Sequence, residues 1–538
     1  MKLLIHLRLA GVLLSIIFTT IFTMGCKSKT EKAIKNTQMV KAAKPKIDTE
    51  KKADKKITSS TDSQLKDSLV VQNYFGTLPY TPITETYKIA RSLVRPSVIL
   101  IVIDAVNVKH LSTYGYERET SPNLTTLAKN GFVFANYVSN SSWTRPSFTT
   151  IITGLTKKQH KVELMNRDVD MGITTVAEHF RNAGYKTAGI VGNPLVRGVW
   201  GFNQGYQYYE DTASLKKAFP QDSQLTEKAI NWINQVKGSP FFLKLFYTSS
   251  HAPYRPLGIA RHFVEKIKKG EIVEYPFREY KTPMPKADHN KTVAAYDDEI
   301  RYADMQIGKL IKELKRLSLD ENTAIIITAD HAEMFGQHNC YVHAYHMWEE
   351  ALRIPFVMYL PWNKTKGVMS EKLFSHVDVL PTLMEIAGIP VNDSKLTGKS
   401  ILTTLKENKN DVRSLVSQYN AHGIRRQAAR INEYKLIHRN KVSEEALKNI
   451  NELHEDIPHA DPEDLPSLDV DEETYGLYNL IDDPAESNNL FEKMKDSKIV
   501  KDLMELLKPE QKEKEETDSQ MSNELIEALT SAGYMQKS

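Results

Sequence analysis

The sequence predicts an α/β protein built on a doubly wound, mostly parallel sheet that is flanked by helices, with a smaller C-terminal α+β subdomain. Continuous apolar runs, which are typical of strands buried on both faces, alternate along the chain with amphipathic helical patterns. Because the 538 residues are 41% hydrophobic and 26% charged, the chain can bury a large core. Only two cysteines occur, which excludes a disulfide framework and an all-cysteine zinc site.

Five apolar runs predict the strands of the central sheet, at 98–103, 186–191, 240–247, 324–328 and 354–360. Between them, a helical pattern at 174–183 ends at Gly184. The clearest helix spans 297–317, where one face carries Ile300, Ile307, Leu310, Ile311 and Leu314. In doubly wound sheets, sites form at the carboxyl ends of the strands, and functional residues are therefore expected there.

The first 25 residues have the pattern of a bacterial lipoprotein signal peptide. Lys2 and Arg8 precede an uncharged stretch, and Gly25-Cys26 resembles the end of a lipobox, in which the cysteine is lipidated. The alternative interpretation is a retained anchor helix. Residues 27–56 contain eleven lysines and four acidic residues, which predicts a solvated tether. We therefore expect an exported lipoprotein that is anchored through Cys26 to a membrane of the bacterial cell envelope, in the periplasm or on the cell surface.

Four regions follow from these patterns: a signal peptide at 1–25, a lysine-rich tether and linker at 26–92, a main α/β domain at 93–406, and a C-terminal subdomain with a tail at 407–538. The formal net charge of +4 is a near balance that argues against a nucleic-acid-binding protein. Because the leader and the tether carry the basic excess, the rest of the chain is mildly acidic. Any positive field for an anionic substrate must be local, and a bound metal is its obvious source.

Acidic residues lie at two of the predicted strand ends. Asp104 follows the run at 98–103, and Asp330 and His331 follow the run at 324–328. An isolated Asp after a strand is usually a turn residue, whereas two such ends, one with an adjacent His, favour a metal site. Carboxylate oxygens together with one imidazole suit Zn²⁺, Mn²⁺ or Ca²⁺. The sequence therefore predicts one divalent metal ion at this edge of the sheet.

Several short motifs between about residues 97 and 535 have a recognisable order and spacing. They are Ile103-Asp-Ala105, Tyr114-Gly-Tyr116, Ser142-Trp-Thr-Arg-Pro-Ser147, His251-Ala-Pro-Tyr254, Thr328-Ala-Asp-His-Ala-Glu333, Arg353-Ile-Pro355 and Asp483-Pro-Ala-Glu486. Together they resemble the sulfatase family of the alkaline phosphatase superfamily. The resemblance implies that Asp104, Asp330 and His331 bind one metal, and that Thr144 lies against it as ligand and nucleophile. A metal lowers the pKa of a hydroxyl, which is otherwise a poor nucleophile.

The same resemblance implies roles for polar residues around the metal. His251 and His343 match histidines that contact substrate oxygens or the leaving group in relatives. Each can donate a hydrogen bond to a transferring oxyanion or act as a general acid. Asn107, Asn193 and His338 are expected to contact the substrate.

The C-terminal region also resembles that of the family. Residues 430–437 are similar to a short antiparallel strand, and residues 477–490 are similar to a hairpin and turn. The acidic stretch at 444–471 is typical of an insertion, and 523–532 predicts a short amphipathic helix. In relatives this subdomain leans over the site and shapes substrate choice.

The sequence departs from most sulfatases at four positions. Most sulfatases convert a Cys or Ser to formylglycine, whereas Thr144 carries an extra methyl group on Cβ and cannot become that aldehyde. Phe148 stands where an Arg holds the modified residue, Asn193 stands where a Lys contacts sulfate, and Ala105 replaces a second Asp. The retained set resembles the metal site of Thr-dependent phosphoethanolamine and glycerol-phosphate transferases.

We therefore expect a metal-dependent, sulfatase-like hydrolase that cleaves sulfate or phosphate esters through Thr144. The alternative is a phospho-group transferase, of phosphoethanolamine or glycerol-phosphate type, acting on envelope glycans. Hydrolysis is preferred because such transferases usually carry several transmembrane helices. A third hypothesis is a catalytically silent homologue that binds an anionic glycan, which the intact metal ligands disfavour. The expected partners are an anionic ester, such as a glycan or a lipid head group, and the membrane through the lipid anchor. No nucleic acid is expected.

Overall fold

The computed structural model describes most of the chain after the predicted tether. The described residues are 60–83, 92, 94–163, 168–212, 221–255, 263, 273, 286–407, 412–421, 423–443 and 472–508. The predicted signal peptide, Cys26, the acidic insertion and the predicted helix at 523–532 lie outside them. Among the described residues, no helix is long and apolar enough to cross a bilayer.

Seventeen strands and twelve α-helices make up this part of the chain. In chain order the strands are β1 (Thr81–Pro82), β2 (Ser97–Ile103), β3 (Phe132–Phe134), β4 (Tyr137–Val138), β5 (Lys186–Val191), β6 (Tyr208–Glu210), β7 (Phe241–Tyr247), β8 (Thr323–Ala329), β9 (Met334–Phe335), β10 (Tyr341–Val342), β11 (Phe356–Tyr359), β12 (Val368–Ser370), β13 (Phe374–Ser375), β14 (Ser414–Ala421), β15 (Ile424–Ile431), β16 (Tyr434–Arg439) and β17 (Thr474–Asn479). The helices are α1 (Ser60–Phe75), α2 (Pro122–Lys129), α3 (Thr144–Thr153), α4 (Lys157–His160), α5 (Val176–Asn182), α6 (Asp222–Val236), α7 (Lys286–Arg316), α8 (Glu349–Leu352), α9 (Val379–Ala387), α10 (Ile401–Glu407), α11 (Phe491–Met494) and α12 (Lys498–Leu507).

A nine-stranded sheet is the centre of the fold, with the strand order β1-β12-β3-β11-β8-β2-β7-β5-β6. Its strands run parallel except β11, which is antiparallel to both neighbours, β3 and β8. β9 and β10 form a two-stranded antiparallel pair, and β4 and β13 form a parallel one. The predicted doubly wound, mostly parallel sheet is therefore confirmed.

The central strands explain why the apolar runs are continuous. β2 lies between β8 and β7, and every residue of β2 is buried. A strand with both faces covered has no solvent side, and alternation between apolar and polar residues is lost. The five predicted strands correspond to β2, β5, β7, β8 and β11.

The long helix α7 differs most in length from its predicted span. It begins at Lys286, whereas the aliphatic stripe predicted a start at residue 297. Its N-terminal half buries small and aromatic side chains, including Ala294, Ala295 and Tyr296, which the aliphatic pattern does not detect.

The predicted linker at 26–92 is too long, because its last part belongs to the α/β domain. Val71 and Tyr74 of α1 pack into the main hydrophobic core, and Val71 is 1% exposed. β1 then pairs with β12 at the edge of the central sheet. These residues supply an apolar helix face and an edge strand to the domain.

The C-terminal subdomain is a four-stranded antiparallel sheet with the order β14-β15-β16-β17. The single short strand predicted at 430–437 is wrong, because the chain turns at Asn432, which has a positive φ of 51°. The end of β15 and the start of β16 pair on either side of this turn. At 477–490, predicted as a hairpin and turn, β17 pairs with the preceding strand β16, and the chain then turns back so that the Leu490 N–H donates to the Leu477 carbonyl at 2.8 Å.

A buried ion network joins the subdomain to the central domain. Glu349 of α8 accepts from Arg353 at 2.8 Å and from Lys435 of β16 at 3.1 Å, and Arg430 Nη1 lies 3.5 Å away. Lys435 also lies 2.8 Å from Glu486 in the loop after β17. Although burial alone would raise it, these cations hold the pKa of Glu349 well below its usual range.

Replacing Glu349 with glutamine is expected to lower the free energy of unfolding by about 3–5 kcal/mol, because buried cations lose their counter-charge. Urea unfolding followed by circular dichroism measures the change. Glu492→Gln is the matched control, since Glu492 is 79% exposed where it pairs with Lys495. A loss no larger than that of the control would show that the network does not hold the two sheets together.

Candidate active site

Three buried side chains meet at the carboxyl ends of β2 and β8. Ile103 pairs with Ala329 in the parallel register, which places Asp104 and Asp330 side by side. His331 follows directly, and its Nε2 lies 3.7 Å from Asp104 Oδ1 and 3.5 Å from Asp330 Oδ2. All three side chains are 0% exposed. The sheet register therefore brings the predicted ligands together.

Thr144 reaches this cluster from the first turn of α3. Its Oγ1 lies 3.3 Å from His331 Nε2. Trp143 is the N-cap of the helix, and its side chain makes no capping hydrogen bond. The positive end of the helix dipole favours an anion beside Thr144.

The donor set fits a divalent cation. Asp104 Oδ1 and Asp330 Oδ2 are buried and accept no hydrogen bond from the described residues. His331 Nδ1 lies 3.0 Å from the carbonyl oxygen of Ala332. A proton on Nδ1 leaves the Nε2 lone pair directed at the two carboxylates. Burial, and then repulsion from Asp330, raises the pKa of Asp104 well above its usual range. A bound cation would offset both the burial of the Asp104 charge and its repulsion from Asp330.

Neighbouring groups fix the orientation of the two carboxylates. Asn193 Nδ2 donates to Asp104 Oδ2 at 2.6 Å. The backbone N–H groups of Ala105 and His331 donate to Asp330 Oδ1, at 3.2 and 2.9 Å. These bonds use one oxygen of each carboxylate and leave the other directed at the site.

Asn193, expected to contact substrate, has both ends of its amide engaged within the protein. Its Oδ1 accepts from the Leu195 N–H at 2.7 Å while Nδ2 holds Asp104. Replacement of Asn193 with alanine is expected to weaken zinc affinity by about 10–100-fold, the usual effect of removing a group that orients a ligand.

Competition with a coloured chelator measures this affinity. The matched control is Asn234→Ala, because the Asn234 amide donates to the Ile230 carbonyl within α6 and to Glu313. Equal zinc affinity in the Asn193 variant and the parent protein would rule out this role.

Two further imidazoles lie beside the cluster. The ring centroids of His331 and His343 are 4.2 Å apart, and those of His251 and His343 are 5.1 Å apart. His251 Nδ1 lies 2.6 Å from the Ala252 carbonyl oxygen, which directs Nε2 away from that carbonyl. The structure therefore places His343 against His331 and His251 against His343, and the catalytic roles predicted for both stay predictions.

Glu333 contacts His343 and was missed as a functional residue. Its Oε1 lies 3.0 Å from His343 Nδ1. Burial raises the pKa of Glu333 to about 8 and lowers the pKa of His343 to about 3. With the proton on Glu333, its O–H donates to Nδ1, and His343 carries its own proton on Nε2. The position of Glu333 two residues after Asp330-His331 was the feature of the sequence that could have indicated a place near the site.

Asn107 and His338 make other contacts. Asn107 Nδ2 donates to the carbonyls of Glu333 and Glu350, at 2.8 and 3.3 Å. His338 stacks on Trp348, with ring centroids 3.8 Å apart, and its Nε2 is 3.8 Å from Glu350 Oε2. These contacts join neighbouring loops within the protein. The substrate contacts predicted for Asn107 and His338 stay predictions.

Phe148 is a core residue. It is 0% exposed and stacks on Phe246, with ring centroids 4.7 Å apart. A buried lysine side chain also lies beside it, because Lys244 Nζ is 4.5 Å from the centroid of the Phe148 ring.

Comparisons with known proteins find relatives of this chain by sequence and by fold. A family model described as Sulfatase matches residues 96–389, which is more than half of the chain. A second, described as N-sulphoglucosamine sulphohydrolase, C-terminal, matches residues 336–469. An arylsulfatase of Clostridium perfringens is 24% identical over 404 residues, covering 61% of this chain and 82% of the relative.

Solved structures share the fold at low sequence identity. A protein in complex with its substrate D-glucosamine-2-N,6-O-disulfate superposes with a TM-score of 0.61 at 19% identity, covering 77% of this chain and 97% of that one. The phosphonate monoester hydrolase of Agrobacterium radiobacter has a TM-score of 0.58 at 18% identity, covering 77% and 95%. With the sulfatase model spanning its α/β domain, the chain belongs to the sulfatase family.

Proposed function

We propose that this protein is a metal-dependent hydrolase that cleaves sulfate esters of glycans, with Thr144 as its nucleophile. The observation that carries the proposal is the position of the Thr144 hydroxyl at a helix start, 3.3 Å from His331 Nε2. That nitrogen lies within 3.7 Å of a carboxylate oxygen from each of Asp104 and Asp330. Family membership supports a sulfate ester, and a structural relative binds a sulfated glucosamine.

Asp104, Asp330 and His331 would hold one Zn²⁺, Mn²⁺ or Ca²⁺ ion, with Thr144 Oγ1 as a further ligand. When bound, such an ion lowers the pKa of a neighbouring hydroxyl and offsets negative charge on a sulfuryl oxygen. The choice between these ions is part of the proposal and is tested by metal analysis of the purified protein.

The residues of the chain then supply two displacement steps. In the first, deprotonated Thr144 Oγ1 forms a bond to sulfur while the bond from sulfur to the ester oxygen breaks. The leaving oxygen takes a proton from His343 Nε2, and Glu333 passes its proton to Nδ1. In the second, the oxygen of water forms a bond to the sulfur of sulfo-threonine while the bond from sulfur to Thr144 Oγ1 breaks; one water proton goes to His343 Nε2 as Nδ1 returns a proton to Glu333, and the other leaves on hydrogen sulfate.

Cleavage of phosphate or phosphonate esters is the second candidate, and Thr144 is the observation that favours it. A threonine cannot form the formylglycine of most sulfatases, whereas a metal-activated hydroxyl suits phosphoryl chemistry. The phosphonate monoester hydrolase neighbour supports the same candidate. In the transferase variant, a glycan hydroxyl replaces water in the second step.

The test compares kcat/KM for 4-nitrophenyl sulfate, 4-nitrophenyl phosphate and a 4-nitrophenyl phosphonate monoester in the metal-loaded protein. Accurate-mass analysis of the peptide that contains Thr144 identifies a trapped adduct. The expected result is the highest kcat/KM for the sulfate ester, together with sulfo-Thr144. Preference for a phosphorus ester with phospho-Thr144 would establish the second candidate. A metal-loaded protein without any turnover would be the silent glycan-binding homologue.

Export and lipidation at Cys26 belong to the same proposal, on the evidence of the leader and the lipobox-like Gly25-Cys26. An enzyme at the bacterial cell envelope would meet extracellular glycans. Cys26→Ser in the full chain is expected to release the protein from the membrane fraction. Retention of this variant in the membrane would favour an uncleaved anchor helix.

A further inference from the structure

A basic pocket lies where helix α4 meets the hairpin of β14 and β15. Three cationic side chains line this open, shallow pocket, from Lys157, Lys158 and Arg425. Further lining comes from the amide side chains of Gln418, Asn420 and Gln427. Nothing in the proposed chemistry at Thr144 uses these residues.

The cations of the basic pocket are only partly neutralised. Lys157 lies 2.9 Å from buried Glu163, and Lys158 Nζ donates to the Lys508 carbonyl at 2.7 Å. Arg425 Nε is buried and has no hydrogen-bond partner among the described residues. Glu473 feels the charge of Arg425, although a hydrogen bond with His438 is the main cause of its lowered pKa. The lining therefore keeps an excess of positive charge and free donors.

Tyr419 connects the basic pocket to the nucleophile. It lines the pocket, and its ring centroid is 6.2 Å from that of Trp143, the residue before Thr144. On the same side, Tyr345 lies 5.3 Å from Tyr419, two positions after His343 in the chain. The Gln418 N–H donates to the Asn140 carbonyl at 3.0 Å, which fixes the hairpin against the segment that leads to α3.

We propose that the basic pocket binds a second anionic group of the substrate, a sulfate or carboxylate on the same sugar chain as the ester cleaved at Thr144. A guanidinium and two ammonium groups match such oxyanions, and the amides add neutral donors. This inference rests on the proposed function and narrows its substrate class to glycans that carry at least two negative groups. With the proposed metal ion, the basic pocket would give the mildly acidic domain a second local region of positive charge.

The test uses two tetrasaccharides of N-acetylglucosamine of equal length, which carry no carboxylate, one with a single 6-O-sulfate and one with several sulfates. Binding is measured by calorimetry in the full chain with Thr144→Ala, so that turnover does not consume the probes. The variant is Lys158→Ala with Arg425→Ala, because removal of Lys157 would leave Glu163 buried without its counter-charge. The matched control is Lys129→Ala with Lys237→Ala, which removes two exposed charges elsewhere.

The pocket variant is expected to bind the polysulfated probe about tenfold more weakly and the monosulfated probe with less than about a twofold change. An unchanged affinity for the polysulfated probe, or an equal loss for both probes, would overturn the inference. An equal loss in the control would also overturn it, because only general charge attraction would then be at work.

The two proposals fail in different measurements. If no nitrophenyl ester is turned over while the pocket variant still loses the polysulfated probe, the proposed hydrolysis fails and the anion site remains. If turnover is present and the parent protein does not distinguish the two probes, the anion site fails and the hydrolysis remains.

Discussion

Replacing Thr144 with alanine is expected to lower kcat by about 10⁴-fold or more, because the step that forms the covalent intermediate loses its only nucleophile. The substitution removes one hydroxyl that lies 3.3 Å from His331 Nε2, and alanine is compatible with the first turn of a helix. The fold should therefore stay unchanged, and Asp104, Asp330 and His331 should still hold the metal when it is supplied at saturating concentration. Initial rates with the preferred nitrophenyl ester, together with metal analysis, measure the effect.

Thr149→Ala is the matched control for this prediction. Thr149 lies in the same helix α3, is buried, and donates its hydroxyl to the Arg145 carbonyl at 2.7 Å. The Thr149→Ala variant loses the same hydroxyl and methyl group as Thr144→Ala, and this change lies outside the ligand cluster. Thr144→Ser should keep measurable activity, because the reacting hydroxyl survives. If Thr144→Ala kept more than about one tenth of the parent kcat, the nucleophile would lie elsewhere.

Removing the metal is expected to lower kcat/KM by at least about 100-fold, because the Thr144 hydroxyl returns to its ordinary, high pKa. The melting temperature should fall as well, since a ligand that binds only the native state stabilises it. Dialysis against a chelator, followed by stepwise return of Zn²⁺, Mn²⁺ or Ca²⁺, measures both effects. Activity should reach its plateau at one equivalent of the native ion.

Asp330→Asn is the matched variant for the metal experiment. An asparagine carbonyl can still accept from the Ala105 and His331 N–H groups that hold Oδ1, so the loop keeps its geometry. The charge and the free Oδ2 acceptor are lost, and the metal affinity should fall. Full activity in a chelator-treated protein shown to contain no metal would contradict the role of the cluster.

The fold and the centre of the site could be predicted from local patterns. β2 and β8 are mostly apolar runs, and Asp104 and Asp330 each follow such a run. Parallel strands end at one edge of a sheet, so the order of residues along the chain already places these carboxylates together. The motif around Thr144 predicted the proposed nucleophile, and a helix begins at this residue.

The contacts between distant segments could not be predicted in this way. Asn193 was expected to face substrate, yet it holds Asp104, which lies 89 positions away. The helix α1 was assigned to a linker, because its few apolar residues have meaning only against the core that they cover.

What the sequence determined by itself was the class of fold, the family and the residues that line the strand ends, because apolar periodicity and short motifs act over a few neighbouring positions. Only the tertiary structure decided which oxygen of each carboxylate stays free, which acid orients His343, and that Lys158 and Arg425 share one pocket. Those outcomes depend on packing between segments that lie far apart in the chain, and local sequence does not specify such contacts.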